Sequence, residues 1–313
     1  MTNISLWNNL DTQKRKYHNG GQKKNDRESE AYVMDIRFEK REHLKEKPDQ
    51  KHLGFGKYMT DYMFVMDWTK EEGWKDARIV PEGPITMDPA CVTLHYAQET
   101  FEGMKAYRTA EGKIQLFRPE MNAKRMINSN ARLCMPEFPV DMFVEAVKAL
   151  VKVEEDWVPS EPETSLYIRP FMFATEAALG VHMASAYKFM IICCPVGAYY
   201  AEGINPVKIL VEDELVRAVK GGTGFTKCGG NYAGSILGQV KAEKMGYSQV
   251  LWLDGEHRKY VEEVGTMNIM FKIAGEIYTA PIEGTVLPGV TRDSMIHLLR
   301  DWGYKVNETR LSV

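Results

Sequence analysis

Neither a disulfide framework nor a zinc site can be read from this chain. Its five cysteines, at 91, 134, 193, 194 and 228, are odd in number and include no C-x-x-C pair. Long apolar runs are missing as well: the longest, Phe189 to Ala201, is broken by Pro195 and Gly197 and is shorter than the about 20 residues a membrane helix needs. The first twenty residues, MTNISLWNNLDTQKRKYHNG, contain no apolar segment of the secretory kind, and they have neither the acid-poor composition nor the amphipathic period of a transit peptide. No sign of charge dominates. Forty basic and 43 acidic residues leave a formal net charge of -3, which favours neither nucleic acid nor a membrane surface as partner. A cytoplasmic protein with a small acidic or zwitterionic ligand and no metal is expected.

What remains is the composition of a soluble globular chain, 44% hydrophobic and 27% charged, whose 313 residues suit about two domains. Residues 1–50, rich in charge and amides, read as a mobile or surface-draped arm. An α+β domain is expected over 51–200. It would hold strands at YMFVMDW, MKAY, KIQLF, SLYIRPFMFA and KFMIICCPVGAYY, a helix from about Glu120 to Cys134, and a second helix with Phe143, Val147, Leu150 and Val151 on its buried face. A linker at 201–206 precedes an α/β domain over 207–313. There VKILVED and QVLWLD read as strands and NIMFKIAGEIYTAP as a hairpin turning at Ala274-Gly275. Two helices are expected to bury Ala233, Ile236, Leu237 and Val240, and Met295, Leu298, Leu299 and Trp302, with Gly246 and Gly303 as their stops.

The segment GGTGFTKCGGNYAG, 221–234, surrounds Lys227 with six glycines. Its spacing matches neither a phosphate-binding P-loop nor a dinucleotide fingerprint. A lysine in such a loop is ordinarily solvated. Buried near other cations or apolar walls it becomes a nucleophile able to form a Schiff base, and flanking glycines let backbone approach a flat ring.

Six separated stretches, FEGMKAYR, LFRPEMNAKRM, SLYIRPF, FTKCGGNYAG, EEVGTMNIMF and LPGVTRDSM, resemble in this order the branched-chain amino acid aminotransferases, fold type IV enzymes that use pyridoxal 5′-phosphate. The resemblance runs from Phe55 to about Glu308. It implies that Lys227 carries the cofactor and moves a proton at the substrate α-carbon. It also implies that Glu263 pairs with the pyridine nitrogen, Glu262 being its solvent-facing neighbour, that Tyr232 bonds the phenolate oxygen, and that Arg125 binds the phosphate. Val290 and Thr291 would offer it helix N-terminal amides, an assignment with its own physical basis. Phe55, Tyr96, Phe101, Tyr167 and Tyr199 would wall an apolar substrate pocket with Arg169 at its edge, and Thr266 and Met267 would meet the α-carboxylate. Tyr96 is expected to serve the neighbouring subunit of a homodimer with a shared site.

The implied reaction is reversible amino transfer between leucine, isoleucine or valine and 2-oxoglutarate. The three substrates differ by about a methylene, which is worth only about 1–3 kcal/mol. Relatives acting on D-amino acids or aminodeoxychorismate are the sister reading. The family normally continues past VNETRLSV to a Gly-Thr-Gly-Thr-Ala stretch, so the carboxy-terminal domain is expected to be truncated at Val313, and an inactive fragment with a binding or dimerisation role is the alternative.

Overall fold

The fold was obtained as a computed structural model that describes residues 34–197 and 205–313, all within one compact unit. In chain order it comprises β1 (Arg37–Phe38), β2 (Tyr62–Thr69), β3 (Gly73–Pro81), α1 (Val92–Tyr96), β4 (Glu99–Phe101), β5 (Met104–Arg108), β6 (Ile114–Leu116), α2 (Pro119–Arg132), α3 (Val140–Val153), β7 (Ser165–Ala174) and β8 (Ala186–Val196). These are followed by β9 (Ile209–Glu212), α4 (Gly229–Ala233), α5 (Ile236–Lys244), β10 (Gln249–Leu253), β11 (Val261–Val264), β12 (Met270–Ile273), β13 (Glu276–Thr279), α6 (Val290–Asp301) and β14 (Val306–Glu308).

The first eight strands share one sheet, in the order β1-β3-β2-β8-β7-β5-β6 with β4 also on β7. Its spine is the antiparallel pair β7/β8, in register from Ser165 opposite Val196 to Ala174 opposite Tyr187. Strands β4 and β5 pair with different halves of β7, and the chain bends between them at Glu102-Gly103. One sheet face is covered by α2 and α3. The second of these buries Phe143, Val147, Leu150 and Val151, the predicted stripe, against Phe64, Phe189 and Ile168. Phe138 stacks on Phe189 at 3.8 Å. Each such side chain contributes roughly 1.5–3 kcal/mol by leaving water.

Residues 205–313 build two smaller sheets. In one, β10 lies between parallel β9 and antiparallel β11. In the other, β12 and β13 form the expected hairpin, turning at Ala274 and Gly275 with φ of 49° and 86°, and β14 joins β13 in parallel. Two positive φ values in succession are what a right-twisted two-residue turn requires.

The helices of this half differ from expectation in which face they bury. Ile236 and Leu237 are 60% and 64% exposed, and the inward residues of α5 are Gly238 and Ala242. A Cβ on Gly238 would stand 2.5 Å from Trp252, so the small-residue face seats the helix on that indole and the large apolar row is turned outward. On α6, Met295, Leu298 and Trp302 are likewise exposed, while Arg292 and Ile296 face inward. Arg292 is held there by bonds to the Ala280 carbonyl and to Glu308, at the end of the β13/β14 pair.

Over 34–50 the chain runs across the surface with fixed anchors. Met34 enters the core, β1 pairs in parallel with β3, and the Lys45 ammonium binds the Thr60 carbonyl at 2.8 Å.

Candidate active site

Helix α2 has an inner face that is polar where it leaves the core: Asn122, Arg125 and Ser129, at helical spacing, are all buried. The Arg125 guanidinium bonds both oxygens of Glu102 in a fork, Nε to Oε1 and Nη2 to Oε2, each at 2.8 Å, and Asn122 donates to the same carboxylate at 2.9 Å. Glu102 is fully buried because the bend between β4 and β5 turns it inward, with its own N-H held by the Pro170 carbonyl. A fork of two parallel bonds fixes the guanidinium and the carboxylate in one geometry.

The same helix and β4 fix Lys227. Its N-H donates to Ser129 Oγ at 2.9 Å, and its carbonyl accepts from Phe101 N at 2.9 Å. Asn231 staples the preceding loop through the Thr223 and Thr226 carbonyls. Glycine is required at Gly224, where a Cβ would collide with Ala218 and the Thr285 carbonyl; a Cβ on Gly229 would displace the Glu99 carboxylate that caps the loop.

Lys227 Nζ then reaches the Tyr232 hydroxyl at 2.8 Å and lies 4.8 Å from the centre of the Phe101 ring. Burial, assisted by the Arg125 charge, lowers the Lys227 ammonium to about 8. Burial raises the Tyr232 hydroxyl well above the ordinary phenol range, so it stays neutral and accepts from Lys227 Nζ.

Glu263 stands on β11 with both oxygens engaged. Oε1 accepts from Leu287 N at 2.8 Å and Asn268 Nδ2 at 3.2 Å, and Oε2 lies 3.2 Å from Arg217 Nε. Burial raises its carboxyl to about 7, against the opposing pull of Arg217.

A cavity of about 570 Å³ opens above these groups. Arg125, Lys227, Tyr167, Thr266, Met267, Val290 and Thr291 line it, and a small adjoining pocket is lined by Tyr232 and Glu263, with Thr266 and Leu287 common to both. The tight Val264–Met267 turn, closed by reciprocal backbone bonds of 2.9 Å, carries Thr266 to that junction. Gly289 supplies α6 with no side-chain cap, and its first amides border the cavity.

Phe55 packs edge-on against Tyr167 at 5.0 Å, and Arg169 donates to the Tyr167 hydroxyl at 2.8 Å while lying over Phe101 at 4.5 Å. These four form a cluster beside Lys227. Tyr96 is exposed on α1 and lines neither cavity, and Tyr199 lies outside the described residues. Glu262 is not solvent-facing: it is 7% exposed, because β11 is covered on both sides and the residue points toward Thr285. Sequence reasoning also passed over Glu102, Ser129, Arg217 and Asn268. The polar row 122, 125, 129 on an otherwise apolar-faced helix was the one signal available for part of this set.

The family model described as amino-transferase class IV matches residues 99–313, more than half of the chain. The chain belongs to the class IV aminotransferases. This aminotransferase is 52% identical over 278 residues to branched-chain-amino-acid aminotransferase 2 of Bacillus subtilis strain 168, covering 89% of this chain and 77% of that one. It is 54% identical over 279 residues to a probable branched-chain-amino-acid aminotransferase of Staphylococcus epidermidis, with 89% and 78% covered. A solved branched-chain amino acid aminotransferase from Escherichia coli superposes with a TM-score of 0.68 at 26% identity, over 80% of this chain and 78% of that chain. Another, from T.th. and complexed with N-(5′-phosphopyridoxyl)-L-glutamate, gives 0.63 at 29% identity, over 78% and 76%. The fold is accordingly that of fold type IV. Among the described residues, no helix of this aminotransferase is long and apolar enough to cross a membrane, and no group of His, Cys, Asp and Glu could hold a metal.

Proposed function

We propose that the chain is a branched-chain amino acid aminotransferase that moves the amino group of leucine, isoleucine or valine to 2-oxoglutarate and back. The observation that carries the reading is Lys227: a buried amine lowered to about 8, 2.8 Å from a tyrosine hydroxyl, in a cavity it shares with Arg125 and next to the smaller pocket lined by Glu263. Relatives above 50% identity that bear this name support the substrate class.

The donor set fits pyridoxal 5′-phosphate, which when bound supplies an electron-withdrawing ring that stabilises charge at the substrate α-carbon. Lys227 would attach to its aldehyde and, once displaced by the substrate amine, move a proton at the α-carbon, a task for which an amine titrating near 8 is suited. Glu263 would hold a proton at the ring nitrogen, and the Tyr232 hydroxyl would bond the phenolate oxygen. Arg125 with the Val290 and Thr291 amides would hold the phosphate, whose charge suits a helix N-terminus. Thr266 and Met267 would meet the α-carboxylate. Phe55, Phe101, Tyr167 and Tyr199 would exclude water from the side chain, with Arg169 at the edge. Tyr96 would serve a second copy of the chain in a cytoplasmic homodimer. The division into an arm (1–50), a small domain (51–200), a linker (201–206) and a large domain (207–313) belongs to the same proposal. It is supported by sheets that do not mix strands from 34–197 with strands from 205–313.

Borohydride reduction of the chain with bound cofactor, followed by peptide mapping, tests the reading. The label is expected on Lys227, together with leucine-dependent glutamate formation from 2-oxoglutarate. A label on another lysine would overturn it.

A further inference from the structure

The Leu287 amide and the Asn268 side chain would suffice to orient Glu263, yet the structure also brings an arginine to it. The Arg217 side chain is 8% exposed, and its Nη2 donates to two carbonyls: Gly224, in the lysine loop, at 3.2 Å, and Thr285, which precedes Leu287 on the wall behind Glu263. Its Nε lies 3.2 Å from Glu263 Oε2 but out of line for a hydrogen bond. The contact therefore acts through charge, whereas the aligned bonds of this guanidinium go to backbone.

We propose that Arg217 is a positioning residue that keeps the buried Glu263 carboxylate ionised and fastens the loop carrying Lys227 to the wall carrying Glu263. The proposal rests on the reading that Glu263 partners the cofactor ring nitrogen, a role only the anion can perform. Burial drives the Glu263 carboxyl toward its neutral form, and Glu262, its buried neighbour on β11, pushes the same way. Lys227 opposes this from the loop, but its own ammonium is partly deprotonated near pH 8. Tyr232 from α4 is neutral and carries no charge to the balance. Arg217 is the largest charge holding the carboxyl down.

The test uses the full chain freed of cofactor, with infrared difference spectroscopy across pH and Glu263→Gln to identify the carboxyl band. Arg217→Gln keeps a donor for the Gly224 and Thr285 carbonyls and removes the charge. It should move the Glu263 titration upward by about 1–3 pH units, the range for loss of an adjacent opposite charge. Arg217→Lys keeps the charge and should hold the midpoint near the parent's. An unmoved midpoint in folded Arg217→Gln, or an equal shift in both variants, overturns the proposal in favour of a scaffolding role. Should Arg217→Gln be too unstable to titrate, melting of the double variant with Glu263→Gln decides, since a neutral partner no longer needs the cation. The double variant melting at or above Arg217→Gln supports the proposal, and melting below it overturns it. Because these readouts need no cofactor, their failure is separate from a failure of borohydride to label Lys227.

Discussion

Substituting Glu263 by Gln removes a charge while keeping the shape that Leu287 N, Asn268 and Arg217 enclose. Amino transfer should slow by on the order of a hundredfold or more, the scale for losing one preorganised electrostatic partner. The leucine half-reaction measures this, and Lys227 should still take the borohydride label. Glu262→Gln is the control. It alters a carboxylate turned toward Thr285 and should leave the rate within a small factor. Equal effects would falsify the assignment of the pair. Burial at Lys227 has its own signature: labelling of the cofactor-free chain by an aldehyde and reductant should rise through about pH 8, whereas exposed lysines respond near about 10.4. A midpoint at the latter value would show that the amine is solvated. Lys227, Tyr232 and Glu263 were legible because each lies in a distinctive local string. Glu102 and Arg217 were not, since what makes them matter is a partner far along the chain, Arg125 for the one and Glu263 for the other, and no periodicity encodes that separation.

At the level of elements, α3 ends on another buried acid. Glu154 is its C-cap, 1% exposed, and accepts from Tyr62 N at the start of β2. A carboxylate at a helix C-terminus opposes the dipole. Burial, with the nearby Asp61 charge adding to it, raises the Glu154 carboxyl to about 7. The folded value lies above the unfolded one, so its stabilising contribution is complete below about pH 4.5 and is lost as pH climbs through 7. The difference is on the order of 3–4 kcal/mol at most. Glu154→Gln should therefore melt higher than the parent at about pH 8 and lose that advantage at about pH 5, by calorimetry at the two values. An advantage that does not depend on pH would disprove the account.

Elements with an uninterrupted pattern were readable. Ser165–Ala174 matches its predicted bounds, and glycines at 112, 246, 275 and 303 mark turns or helix ends with positive φ. Strand β3 escaped notice because Asp76 at φ 53° and a register shift opposite Val65 to Asp67 break its alternation. The apolar rows of α5 and α6 misled for a different reason: amphipathic period identifies a face but not which neighbour it meets, and on α5 the fit of Gly238 over Trp252 settled the matter against size.

For the molecule as a whole, Lys227 belongs by sequence to one half of the chain and by backbone bonding to the other, through Ser129 and Phe101. The reactive amine is thus a product of association between two lengths of polypeptide, and the chain can be treated as two reagents. Cutting it between residues 197 and 205 and expressing the parts separately should give fragments whose Lys227 titrates like any surface amine. Mixing them should bring back, on the time scale of their pairing, an amine that captures aldehydes at about pH 8. Mass spectrometry of the lysine peptide before and after mixing measures this, and full reactivity in the lone carboxy-terminal piece would contradict it. Such a pair is a chemical AND gate, in which a covalent mark on one fragment records the presence of the other.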